Sequence, residues 1–206
     1  GPVFLALAWA CWKTYLGLDG DINSAMGLLG VALCESGSEE GLPVLEAQLA
    51  LSQRYWSHHQ ESVLHAQYDY ANALLRFDRL DEGLCMLREI HEKRVALFGP
   101  EQRDSIGAAN SLAIALVRLA RFDEARAILK RQIPLARQLG GTQWVHAAGV
   151  FSRAVVEDDN CPTTELEEAL TVMDDASRTA RQTLGTAHPV AKALERDLGC
   201  IRARLT

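Results

Sequence analysis

Two stretches of this chain are near copies of one another. Ala71-Asn72-Ala73-Leu74-Leu75-Arg76-Phe77-Asp78-Arg79-Leu80-Asp81-Glu82-Gly83 and Ala113-Ile114-Ala115-Leu116-Val117-Arg118-Leu119-Ala120-Arg121-Phe122-Asp123-Glu124-Ala125 lie 42 residues apart. They share two alanines, Leu74/Leu116, Arg76/Arg118, Arg79/Arg121 and the Asp-Glu pair. Another 42 residues back, Val31 to Gly41 repeats the acidic pair and the small residue. Forward, Glu167-Glu168-Ala169 lies 44 residues beyond Asp123-Glu124-Ala125, so the spacing there carries an insertion. A chain that repeats at this period folds as small units stacked on their neighbours, with no single central core.

Each unit has its own punctuation. Leu16-Gly17, Trp56-Ser57, Phe98-Gly99, Leu139-Gly140 and Leu184-Gly185 fit helix ends, with the glycine, or Ser57 in one case, expected in a left-handed conformation. Pro100 and Pro189 follow two of these ends and stop the helix from continuing. Between landmarks, apolar residues recur at three and four. Leu112, Leu116 and Leu119 form one stripe; Ile128, Leu129, Ile133 and Leu135 form a second, with Arg126, Lys130 and Arg131 assigned to the opposite face. Antiparallel helix pairs follow. First helices are predicted near 20–35, 61–77, 103–119, 143–157 and 189–204, and second helices near 3–16, 39–56, 81–97, 123–139 and 164–184.

Small residues fall where paired helices approach: Ala71, Ala113 and Gly199 on first helices, and Gly41, Gly83, Ala125 and Ala169 on second helices. Larger side chains there would cost about 1–3 kcal/mol of overpacking. Two departures stand out. The turn Glu157 to Thr164 is long and acidic, so the first helix before it is expected to be shifted or short, and Pro134 inside a second helix is expected to kink it or loosen its last turns.

The run Asn110-Ser111-Leu112-Ala113, then Leu116, then Phe122-Asp123-Glu124-Ala125, then Leu129, resembles the tetratricopeptide repeat. The linkers Gly99-Pro100-Glu101-Gln102-Arg103-Asp104 and Leu184-Gly185-Thr186-Ala187-His188-Pro189 are similar to those of its kinesin-light-chain-like subclass. The resemblance covers essentially the whole chain. It implies an all-α, right-handed α-solenoid of about ten helices in one repeat domain: a partial repeat 1–17, repeats near 18–57, 58–99, 100–140 and 141–185, and a terminal helix 186–206. The opening Gly1-Pro2 resembles a protease-cleavage scar, and the chain begins on a second helix, so a piece of a longer protein is expected.

In this family the first helices line a concave face, and the resemblance carries ten peptide-binding positions onto the chain: Tyr68, Asn72, Leu75, Arg76 and Arg79, then Asn110, Ile114, Val117, Arg118 and Arg121. Asparagine both donates and accepts hydrogen bonds, which suits a peptide backbone. The arginines offer planar forks for carboxylates or phosphates. The competing reading makes Arg76 with Asp78 or Glu82, and Arg118 with Glu124, ordinary exposed ion pairs. Some relatives clamp acidic chaperone tails through a Lys and an Asn four apart; the corresponding pair here is Tyr68 and Asn72, so that partner is disfavoured. Trp144, Trp9 and Trp12 are assigned to the core.

Composition narrows the function classes. Leu and Ala supply 59 of 206 residues, which favours helices. The net charge of -6 gives no overall attraction to nucleic acid or an anionic membrane, and no apolar run reaches the roughly 18 residues a span needs. Cys11, Cys34, Cys85, Cys161 and Cys200 are widely spaced and odd in number, which points to a reducing, cytoplasmic compartment. His58, His59 and His65 cluster without metal-ligand spacing, and His188 belongs to a linker. Asp19 to Asn23 imitates a calcium loop but has Ser24 and Gly30 where Gly and Glu are required. No catalytic motif, metal site or cofactor site is expected. The expected function is non-catalytic protein or peptide binding, including acidic segments. Alternatives are a sensor segment of a larger nucleotide-switch protein and a scaffold that self-associates through its terminal helices.

Overall fold

The computed structural model describes residues 19–205, with side-chain surroundings from Asn23 onward. Among the described residues it contains nine α-helices: α1 Asp19–Glu35, α2 Gly41–Tyr55, α3 Gln60–Arg76, α4 Leu80–Phe98, α5 Arg103–Arg118, α6 Phe122–Gln138, α7 Gln143–Val156, α8 Thr163–Leu184 and α9 Pro189–Leu205. Each predicted helix from residue 20 onward is present within about two residues of its expected bounds. The helix expected at 3–16, the landmark Leu16-Gly17, Trp9, Trp12 and Cys11 lie outside the described residues.

The chain divides into two compact units, one ending at Ile90 and one beginning at His91. In the first unit α1 packs against α2 and α3, and α2 against α3. In the second, α5 packs against α6 and α7, α6 against α7, α7 against α8 and α9, and α8 against α9. Within their own units α1, α5 and α7 thus each touch their mate and the next first helix, the stacking rule of a helical-repeat array. In the first unit Val44, Leu45 and Leu74 are fully buried. Leu116, Leu129, Phe151, Met173, Leu194 and Ile201 take that role in the second. Each such side chain contributes about 1.5–3 kcal/mol of burial.

Close approach at the small residues is literal. A Cβ at Gly41 would lie 2.4 Å from Cys34 Sγ and 2.6 Å from the Gly30 carbonyl oxygen, and one at Gly83 would lie 2.6 Å from Leu75 Cδ2. Ala71, Ala113, Ala125 and Ala169 are all fully buried. Gly199 is a correction: a Cβ there meets nothing within 4 Å, because no described helix packs on that side of α9. The exposed residues of α9 mix the charged Lys192, Glu195, Arg196 and Arg202 with Pro189, Gly199, Cys200 and Ala203.

Helix ends repeat in their geometry. Gly37, Asp78 and Ala120 all have positive φ, at 83°, 60° and 55°. The next residue in each case donates its backbone N–H back to the carbonyl five earlier: Ser38 to Leu33, Arg79 to Leu74, and Arg121 to Leu116. This is the left-handed closure that satisfies orphan carbonyls at a helix C-terminus. Gly99, Gly140 and Gly185 also have positive φ, as their landmarks predict, and so does Gly141, whereas Ser57 does not. At Ser57 the preceding helix ends through Trp56, whose N–H bonds to the Ser52 carbonyl. Pro134 sits inside α6 without ending it, and α7 is short at 14 residues.

Candidate functional site

The ten expected positions separate into three behaviours. Tyr68, Asn72 and Arg76 on α3 are half-buried, half-buried and exposed; Asn110, Ile114 and Arg118 on α5 show the same sequence of burial. Each trio is spaced i, i+4, i+8, a single row along one side of a helix. In α5 that row interrupts a largely buried surface that includes Ile106, Leu112, Ala113, Leu116 and Val117. Leu75 and Val117 correct the sequence reading. They are 5% and 2% exposed, so they are core side chains and offer no surface to a ligand.

Arg79 and Arg121 form the third group. They sit in equivalent turns, and each forks onto the second acidic residue that follows. Arg79 Nε donates to Glu82 Oε1 at 2.8 Å, and Arg121 Nε to Glu124 Oε1 at 2.6 Å. The hydrogen bond from Arg79 holds the Glu82 carboxyl below its ordinary range and raises the guanidinium in turn. Glu82, weighed from the sequence as a partner of Arg76, is thus paired with Arg79, and Glu124 is held by Arg121.

Within the α3 row, Asn72 Nδ2 donates to its own helix at the Tyr68 carbonyl, 2.9 Å away. Arg76 Nη2 reaches the carbonyl of Glu35, the last residue of α1, at 2.8 Å. Arg76 therefore serves a helix end. In the α5 row, Asn110 Oδ1 is buried without a hydrogen-bond donor, leaving unused acceptor capacity beside Ile114.

The sequence reading missed an ionic cluster in the second unit. Arg126, assigned from periodicity to an exposed face of α6, has a side chain only 3% exposed. Its Nη1 donates to Asp158 Oδ2 at 2.7 Å and to the Ala154 carbonyl at 3.0 Å, and it also pairs with Asp123 and Glu165. Lys130 pairs with Glu165 at 3.0 Å and Glu168 at 2.6 Å. Burial opposes ionisation of Arg126, but the Asp158 hydrogen bond and the charge of Glu165 outweigh it. From the other side Arg204 donates to the carbonyls of Val155, Val156 and Asp158 at 2.7, 3.1 and 2.8 Å. The available signal was compositional: the one insertion in the repeat is also the most acidic turn, and it follows a unit rich in arginine.

Trp144 is buried, as expected, with the Arg137 guanidinium 4.4 Å from its ring centroid. Among the described residues no group of three or more His, Cys, Asp or Glu could hold a metal ion. Cys34 and Cys161 are buried, and burial pushes both thiols up; Cys85 and Cys200 are exposed. No helix among the described residues is long and apolar enough to cross a membrane.

Paired antiparallel helices, stacked first helices and recurrent left-handed closures define an all-α, TPR-like repeat fold. Two solved structures share it: crystal structures of the nearly identical TPR-like repeats of a Podosopora anserina protein described as a kinesin light chain, one of them a point variant. Each is 17% identical to this chain with a TM-score of 0.73; 88% of this chain aligns with 85% of the variant and 86% of the other. At that identity the likeness is one of fold. No protein-family model matches the chain, and no curated protein matches it.

Proposed function

We propose that this chain is a non-catalytic interaction module that binds a peptide or protein segment through the exposed row of a first helix. The observation that carries this reading is the Asn110, Ile114, Arg118 row, a mixed polar and apolar strip on a helix whose other sides are mostly buried. The Asn110 amide NH2, whose Oδ1 is enclosed, donates to a peptide carbonyl, Ile114 supplies apolar contact, and Arg118 a fork for a carboxylate. Tyr68, Asn72 and Arg76 form the corresponding row on α3, where the Arg76 guanidinium also bonds to the Glu35 carbonyl. The TPR-like fold supports the reading, since such folds present extended surfaces to protein partners.

Selection of a random peptide display library tests it. Peptides enriched on the chain are expected to lose binding to Asn110→Ala/Arg118→Glu and to Ile114→Asp. They should keep binding to Arg131→Glu, a change at an exposed position on α6. Equal enrichment on all four proteins overturns the assignment.

A further inference from the structure

In an α-helix the last carbonyls have no donor within the helix and must be satisfied from elsewhere. Two first helices in separate units solve this in the same way. The carbonyl of Glu35, which ends α1, accepts from Arg76 in the last turn of α3, the next first helix, at 2.8 Å. The carbonyls of Val155 and Val156, which end α7, accept from Arg204 Nη1 in the last turn of α9, again the next first helix. Arg204 Nη2 continues onto the carbonyls of Asp158 and Asp159 at 2.8 and 3.4 Å. A guanidinium suits this task because its donors are fixed in one plane and its charge complements the negative end of the helix dipole.

We propose that Arg76 and Arg204, last-turn arginines of α3 and α9, are cross-repeat latches, each of which holds the C-terminus of the preceding first helix and the turn after it in order. Both latches run backwards along the chain, the later helix ordering the end of the earlier one. The consequence is directional. Loosening α9 releases the turn after α7, and loosening the end of α3 releases the turn after α1. The acidic turn is the strongest case, because Arg204 takes backbone carbonyls at Val155, Val156, Asp158 and Asp159 while Arg126 holds the Asp158 carboxylate. The turn's order thus depends on the repeats on both sides of it.

Hydrogen–deuterium exchange on the full chain tests this through amides the turn itself protects. Glu157 N–H bonds to the Arg153 carbonyl at 2.9 Å, and Cys161 N–H to the Asp158 carbonyl at 3.1 Å. Arg204→Met is expected to speed exchange across 156–161 by about tenfold, at the low end for losing hydrogen bonds to a charged group, while 106–117 stays at the native rate. Arg202→Met, a change on the same helix as Arg204 that removes an exposed pairing with Asp174 of α8, leaves both segments unchanged. In the first unit, Arg76→Met should speed exchange at 36–38. If Arg204→Met proves globally unstable, Arg204→Lys keeps the charge with a single ammonium and should accelerate 156–161 alone. No acceleration there in Arg204→Met, or equal acceleration of 156–161 and 106–117 in Arg204→Lys, overturns the latch.

Discussion

Arg126 and Asp158 form the most enclosed ion pair described in this chain, with Nη1 and Oδ2 2.7 Å apart and side chains 3% and 15% exposed. Burial pushes the Asp158 carboxyl up, yet the bonds from Arg126 and the Asn160 N–H, with the charges of Arg126 and Arg204, hold it below its ordinary value. Removing one partner of such a pair leaves the other charged and desolvated. Arg126→Met should therefore destabilise the chain by about 3–5 kcal/mol. Urea unfolding measures this, and a loss under about 1 kcal/mol would place the pair with ordinary surface bridges.

Ala120 and Asp78 hold left-handed conformations with φ of 55° and 60°. Such a conformation costs an ordinary residue roughly 1–2 kcal/mol, while glycine gives back about 0.5–1 kcal/mol in unfolded-state entropy. Ala120→Gly is expected to raise the melting temperature slightly, and Ala120→Val to lower it clearly. A fall with glycine would show that the Ala120 methyl contributes packing that outweighs the backbone strain.

Gly41 and Gly199 should respond to alanine in opposite directions. At Gly41 the new methyl would strike the Gly30 carbonyl, which cannot rotate away, so a loss of about 1–3 kcal/mol follows. At Gly199 there is open space inside a helix, and alanine gains about 0.5–1 kcal/mol. Thermal denaturation of the two single variants is sufficient, and equal shifts would refute the close approach.

His91 makes stability depend on pH. Burial pushes its imidazole below the ordinary value, against the opposing hydrogen bond to the Ser105 backbone, and its Nδ1 is buried without a partner. A base with a depressed native pKa protonates first in the unfolded chain. Its stabilising contribution is complete above about pH 6.5 and shrinks as pH falls towards the native value. Between pH 7.5 and 5.5 the wild-type melting temperature should drop further than that of His91→Gln. Parallel curves would remove His91 from the account.

Helix boundaries were legible because glycine and proline are local signals: Gly99, Gly185, Pro100 and Pro189 act on their own stretch of backbone wherever the chain goes. Burial on the first helices was less legible. Leu75 and Val117 look like surface positions on a single helix, but Leu75 lies against Gly83 of α4, and α5 is covered by both α6 and α7. The exposed strip narrows to one row. Arg126 was misplaced for a related reason. Periodicity assigns a charge to water unless it finds partners, and its partners Asp158 and Glu165 stand 32 and 39 residues further on, across an insertion whose path no local rule describes. Arg76 and Arg204 were obscured similarly, since each answers to carbonyls more than 40 residues away in sequence.

At Gly41 and Gly30 peptide groups of two helices meet with no side chain between them. The separation of α1 and α2 is therefore a property of the main chain. Neighbouring residues such as Val44 or Met26 can exchange for others of similar bulk while the spacing persists, but no choice of side chain elsewhere can restore it once Gly41 has gained a methyl. Drift in this pair is thus permissive around a fixed pivot, and a descendant sequence should be recognised first by its glycines.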